Sequence, residues 1–225
     1  MKQLIFFLCI SILFVQCTDD EKPRLNGSDF FPLAVGKYWV YNVQEIIYSP
    51  LQPPLTQNFQ LLVHVVDSFP NAENGITYVL HRYTRPDEAS AWQFTETWSA
   101  RLTDQFVIVS EGNVPVIPLA FPLHLNRKWN ANMFNDYPED EYQITDLITG
   151  YSWETPVDVV AKVIQENVPN NLTYRDVRLE LYGKDVGLIS KLSEVWTYTC
   201  TGGNCTDVID HGYKWEQTLL EYGTM

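Results

Sequence analysis

From residue 37 onward, apolar and aromatic side chains fall on alternate positions in run after run. No window sustains the 3.6-residue spacing of a capped amphipathic helix. Lys37–Tyr48 places Trp39, Tyr41, Val43 and Ile47 on one parity, the period of two expected where one sheet face is buried. Val177, Leu179 and Leu181 alternate with Arg178 and Glu180 in the same way. Similar β-branched and aromatic runs occupy 57–68, 76–85, 91–101, 105–110, 141–148, 157–167, 188–200 and 206–220. Clusters of Pro, Gly, Asn and Asp punctuate them. The pattern predicts about ten strands, with a turn or two of helix at most within 114–126. The connections are too short for helical crossovers, so the class is all-β and antiparallel.

The first residues differ. Lys2 precedes an apolar run, Leu4–Val15, that ends at Gln16 and Cys17. Twelve residues of helix rise about 18 Å, short of the roughly 30 Å hydrocarbon core, so the run reads as a signal peptide rather than a permanent span. The Cys at its end resembles the lipobox of bacterial lipoproteins, in which that Cys becomes the acylated amino terminus. Phe14 and Gln16 stand where a Leu-like and a small residue are usual, a relaxed form met in the Bacteroidota. Thr18, Asp19, Asp20 and Glu21 follow. An acidic run there resembles the signal that sends lipoproteins to the outer face of the outer membrane. The resemblance implies lipidation at Cys17, a membrane partner held through that lipid, and an outer-membrane, surface-exposed location. Residues 1–16 are then a signal peptide, 17–29 a lipidated tether and 30–225 a single β domain, since no linker divides the remainder.

The net charge of −13 becomes one unit more negative once Lys2 is removed, which argues against nucleic acid as a partner. Aromatic residues at 14% argue against a disordered acidic chain, because such chains lack them.

One internal echo stands out. Phe31-Pro32-Leu33 precedes Trp39, and Phe121-Pro122-Leu123 precedes Trp129 at the same spacing, with Val35 matching Leu125 and Lys37 matching Arg127. Physically this is a corner: Pro presets an extended backbone, Phe and Leu plug the end of a sheet, and Trp starts the next strand on its buried face. Duplication and chance recurrence both fit at this level. The first copy, together with Asp185-Val186-Gly187-Leu188-Ile189, resembles a group of uncharacterised Bacteroidota lipoproteins. In these a Phe-Pro-Leu-x-x-Gly-x-x-Trp-x-Tyr opening follows the tether and a Gly-Val-Gly-Leu strand start lies near the C-terminus. The resemblance implies structural roles for Phe31, Pro32, Leu33, Trp39 and Gly187, and a strongly curved antiparallel sheet, an open or half barrel. Asp185 replaces the first Gly of the second motif, so the turn there need not be the family's.

Beyond Cys17 the mature chain holds only Cys200 and Cys205, flanking Thr-Gly-Gly-Asn between strand-like residues. Opposed positions at a hairpin tip are within reach of a disulfide, which an oxidising envelope preserves. Zinc is the rival, but it needs about four ligands and only His211 is near in sequence.

Signatures of chemistry are scarce. The chain has no Gly-x-Ser-x-Gly elbow, His-Glu-x-x-His, Gly-rich phosphate loop or calcium loop, and no cofactor is expected. His64 and His81 sit inside strand-like runs, where a surface or satisfied His is the commoner case. Asp136, Glu139, Asp140, Glu141 and Asp146 read as a solvated loop rather than a cation site. The expectation is therefore a lipid-anchored, non-enzymatic envelope protein that binds a small apolar ligand, a glycan or a protein partner through the concave face or the loops. The alternative is a glycan-processing or other hydrolase accessory, which requires carboxylates converging in a cleft. What decides is whether the concave face is filled, covered or open.

Overall fold

The computed structural model describes residues 26–72, 74–152 and 156–225. The expected signal peptide, residues 1–16, and Cys17 lie outside the described residues. A single 3-10 turn, Ser28–Phe30, leads into twelve strands: β1 Lys37–Tyr48, β2 Leu55–Pro70, β3 Ile76–Arg85, β4 Gln93–Leu102, β5 Phe106–Glu111, β6 Val114–Ala120, β7 Lys128–Asn130, β8 Glu141–Tyr151, β9 Val157–Val168, β10 Tyr174–Gly183, β11 Gly187–Thr201 and β12 Asn204–Thr224. All pair antiparallel in one sheet of order β6-β5-β4-β3-β2-β1-β12-β11-β10-β9-β8-β7. The chain thus makes two six-stranded meanders, β1–β6 and β7–β12, joined where β1 pairs with β12.

The sheet curls until its two ends nearly meet, so it is a nearly closed barrel. The seam between β6 and β7 is bridged by single bonds rather than a ladder. Ile117 N donates to Ala131 O at 3.0 Å, and Asn135 Nδ2 donates to Pro115 O at 2.8 Å. The expected strand count of about ten is corrected to twelve, and both additions lie at this seam. The helical turn expected within 114–126 is instead β6 followed by the Phe121-Pro122 corner. Pro115 and Pro118 mask β6 in the sequence. They are tolerated because β6 has a full ladder partner only in β5, and an edge strand can lack N–H donors.

The two ends of the barrel differ. Residues 26–36, the loops after β2, β4, β6, β8 and β10, and the C-terminus gather at one end. Here Phe30, Ile117, Leu119, Leu123, Ile144, Val160, Val163 and Ile189 are fully buried and fill the barrel. The hairpins after β1, β3, β5, β9 and β11, and the longer β7–β8 connection, form the opposite end, called the mouth below. These connections expose Leu51, Phe94, Met133, Leu172 and Val208.

The sequence echo has a structural counterpart at the filled end, where each copy opens one meander. In the first copy Lys37 N donates to Ala34 O at 3.0 Å and Gly36 N to Val65 O at 2.8 Å. In the second, Arg127 N donates to His124 O at 3.1 Å and Asn126 N to Ile144 O at 2.8 Å. Gly36 and Asn126 both take positive φ, 89° and 65°. Trp39 and Trp129 are 7% and 6% exposed. The two indoles donate to backbone carbonyls, Trp39 Nε1 to Val186 O at 2.6 Å and Trp129 Nε1 to Ile117 O at 2.8 Å.

Candidate functional site

The two motifs that carry the sequence resemblance lie far apart in the chain and meet in the structure. Gly187, at φ +98°, is so close to Trp39 that a Cβ there would stand 3.1 Å from the indole Nε1 and 3.5 Å from Pro32 Cδ. Asp185 holds the preceding turn at φ +62°, a conformation Asp tolerates better than most residues, and its N–H donates to Asp29 O at 2.7 Å. Asp185 is therefore the left-handed residue of this turn.

Above this floor the barrel is hollow. A cavity of about 570 Å³ occupies the lumen, within the 300–1,000 Å³ usual for small-molecule sites. Phe31, Pro32, Leu33, Trp39 and Gly187, all marked in the sequence as structural, contribute to its floor and wall together with Leu61, Val63 and Leu80. Aromatic side chains from other strands, among them Trp98, Tyr142, Tyr213 and Trp215, line the rest. Tyr213 is 40% exposed, so the wall reaches solvent on the mouth side.

Charged residues also face this lumen, which their positions in the sequence do not announce. Glu45, Arg82, Glu111, Arg178, Glu180 and Lys191 line it, from β1, β3, β5, β10 and β11. On β10 the inward face is the reverse of the one the hydrophobic alternation marks. Arg178, Glu180 and Tyr182 point into the lumen, and Val177, Leu179 and Leu181 take the outward parity. Glu180 is only 4% exposed and is held twice. Tyr182 Oη donates to its Oε2 at 2.5 Å, and Lys191 Nζ lies 3.0 Å from Oε1. The Glu180 charge raises the Lys191 pKa against the opposing effect of burial, so this ammonium is cationic. Arg178 makes a fork to Asp140 at 2.8 and 3.4 Å and a second ion pair to Asp176 at 2.8 Å. Burial lowers its pKa, but the hydrogen bonds and charges of both carboxylates together outweigh that and raise it. Arg82 pairs with Glu96 at 2.8 Å and stacks over Trp98 with its guanidinium carbon 3.8 Å from the ring centre. Burial raises the Glu111 pKa, Lys191 lowers it and Glu180 adds a further rise. Burial also raises the hydroxyls of Tyr41, Tyr142 and Tyr182, so at neutral pH they carry their protons.

The other residues singled out in the sequence lie away from this cavity. Cys200 and Cys205 form a disulfide with Cα atoms 4.0 Å apart, at a hairpin tip whose Gly202 and Gly203 both take positive φ. Two register shifts between Thr197 and Cys200 place the extra residues on β12, and Trp196 lies on the outward parity, edge-to-face with Tyr48. His64 and His81 are paired neighbours on the outward parity of β2 and β3. Burial, then the His81 charge, lowers the His64 pKa. Within the acidic stretch, Asp140 binds Arg178 and Glu141 lies 2.6 Å from Lys128. No group of three or more His, Cys, Asp or Glu poised for a metal occurs among the described residues.

The lumen charges left one legible trace in the sequence. Glu45 occupies the same parity as Trp39, Tyr41 and Val43, a carboxylate on an otherwise apolar face. Nothing local marks Glu111 or Lys191.

No protein-family model matches the chain, and no curated protein does. Two solved structures are similar in fold. One, from Bacteroides fragilis, is described as an exported protein with a YmcC-like fold; it has TM-score 0.46 and 16% identity, and the match covers 87% of this chain and 99% of that one. The other, from Parabacteroides distasonis, is described as a lipoprotein; it has TM-score 0.43 and 12% identity, and the match covers 86% of this chain and 98% of that one.

Proposed function

We propose that this protein is a lipid-anchored envelope protein that holds a small amphipathic ligand in its barrel lumen. The observation that carries the reading is the lumen itself: a cavity of about 570 Å³ with an apolar floor and a belt of charged and aromatic side chains. A barrel of this size could have been packed solid, as its other end is. Anchoring at Cys17 fits the same geometry. Residue 26 enters at the filled end, and the nine Cα–Cα steps from Cys17 to it span at most roughly 32 Å. A lipid on Cys17 holds the filled end toward the bilayer and leaves the mouth facing away. Asp19, Asp20 and Glu21 support display on the outer surface of the outer membrane, which protease accessibility on intact cells tests.

Binding is tested with N-phenyl-1-naphthylamine, an uncharged dye that brightens in apolar surroundings. Saturable binding of one dye per protein is expected. It should be lost in Ser193→Trp, which fills the lumen from a buried wall position, while that variant still melts cooperatively. Absence of saturable binding by the native protein overturns the reading.

One observation favours a hydrolytic alternative: Glu45, Glu111 and Glu180 face a single lumen. Cleavage of envelope oligosaccharides by the purified protein, abolished in Glu111→Gln, would establish that alternative in place of binding.

A further inference from the structure

We infer, building on the lumen-binding reading, that the lumen selects a cationic amphiphile: a ligand with an ammonium-type head and an apolar tail.

The argument starts from an inventory of charge. Every cation on the lumen wall already has a carboxylate within salt-bridge distance. Arg82 has Glu96, Arg178 has both Asp140 and Asp176, and Lys191 has Glu180. The carboxylates are not matched in return. Glu45 and Glu111 line the same wall, and among the described residues neither has a cation within salt-bridge distance. Glu111 is the more consequential of the two. It sits on β5 and senses Glu180 and Lys191 on β10 and β11, so it projects into the space these strands enclose. Lys191 and Arg82 act on Glu111 from beyond contact distance and offset its desolvation only in part, and a cation supplied from outside removes more of that penalty. An anionic head would find each wall cation already neutralised and would add to the field of Glu45 and Glu111.

The aromatic lining acts in the same direction. Glu45 and Trp215 are register partners on β1 and β12, and both face the lumen beside Tyr213. A carboxylate set among aromatic side chains is a favourable surround for an ammonium, because the ring quadrupole and the carboxylate attract the same charge. Buried Tyr41, Tyr142 and Tyr182 keep neutral hydroxyls, so the lumen charge is set by the carboxylates and the basic side chains alone. Leu33, Leu61, Val63 and Leu80 then offer the tail an apolar wall. The whole-chain charge of −13 draws cations toward the mouth and repels anions.

Three amphiphiles with one tail test this: decyltrimethylammonium, decyl sulfate and decyl glucoside. Each is used below its micelle-forming concentration to displace N-phenyl-1-naphthylamine from the full mature chain, with a melting curve beside each titration. The ammonium should displace the dye at a concentration about tenfold lower than the sulfate, with the glucoside between them. In Glu111→Gln the gap should shrink, and in the double Glu45→Gln, Glu111→Gln variant it should close to within about threefold. Sulfate displacing as well as ammonium, or a gap unchanged in the double variant, overturns the charge selection and leaves lumen binding standing. Failure of the dye itself to bind the native protein overturns lumen binding and this inference with it.

Discussion

The Phe-Pro-Leu corners at residues 31–39 and 121–129 share one turn, one positive-φ position and one buried Trp whose indole N–H is satisfied by a carbonyl. Their surroundings differ. The strand that follows Trp39 is flanked by long ladders on both sides, to β2 and β12. Trp129 is the middle residue of a three-residue strand with a ladder on one side only, and its indole bond to Ile117 is one of the few links across the seam. One corner forms the floor of the cavity, and the other closes the barrel. The same local solution serves two tasks because local geometry depends on the corner's own residues, whereas its role depends on which strands lie alongside.

The largest effects should come from the two Trp residues. Truncation of either to Ala is expected to cost about 3–5 kcal/mol in denaturant unfolding, as for other buried Trp residues. The consequences should diverge. Trp129→Ala should speed hydrogen exchange of β6 amides selectively, and Trp39→Ala should weaken dye binding. Identical exchange maps for the two variants would show that the seam does not depend on Trp129.

The positive-φ positions offer a finer test. Asn126→Gly should change stability by less than about 0.5 kcal/mol, since both residues reach the left-handed region. Gly36→Ala should cost about 1–2 kcal/mol, because a Cβ there both adopts φ 89° and stands 3.0 Å from Met225 O. Equal tolerance at both sites in thermal melts would mean that the corners are more alike than their contacts indicate.

Glu111 contrasts the filled end with the hollow one. Its folded-state pKa is raised, chiefly by burial, so the folded protein holds this proton more tightly than the unfolded chain does. The stability tied to that proton is complete below the ordinary Glu value of 4.5 and is lost as pH rises through the folded-state value. Glu111→Gln should therefore be more stable than the native protein at pH 7, with the advantage fading as pH falls toward 4.5. A difference independent of pH would remove Glu111 as its source.

The smallest effect is expected at the mouth. The Cys200–Cys205 bond closes a very short loop at an exposed hairpin tip, so the double Cys→Ser variant should lose at most about 2 kcal/mol. It should keep the fold by circular dichroism. Unfolding of that variant at room temperature would show that the β11–β12 hairpin contributes more than its tip contacts indicate.

Alternation and turn chemistry determined most strands from sequence alone: the bounds of β1 and β3 follow from it directly, as does the Cys200–Cys205 hairpin, because both signals are local. So do the corners, since Phe, Pro, Leu and Trp at fixed spacing carry their geometry with them. Period two states that two faces differ but not which one is inside, and on β10 the hollow lumen reversed the expected answer by drawing Arg178, Glu180 and Tyr182 inward. The β6–β7 seam escaped for a related reason. Its strands are short and rich in Pro and Asn, and they exist because the ends of a curled sheet come together. The lumen charges are the most tertiary feature of all. Glu111 and Glu180 come from opposite meanders, and only closure of the barrel sets the two carboxylates, and Lys191 between them in charge, into one desolvated space.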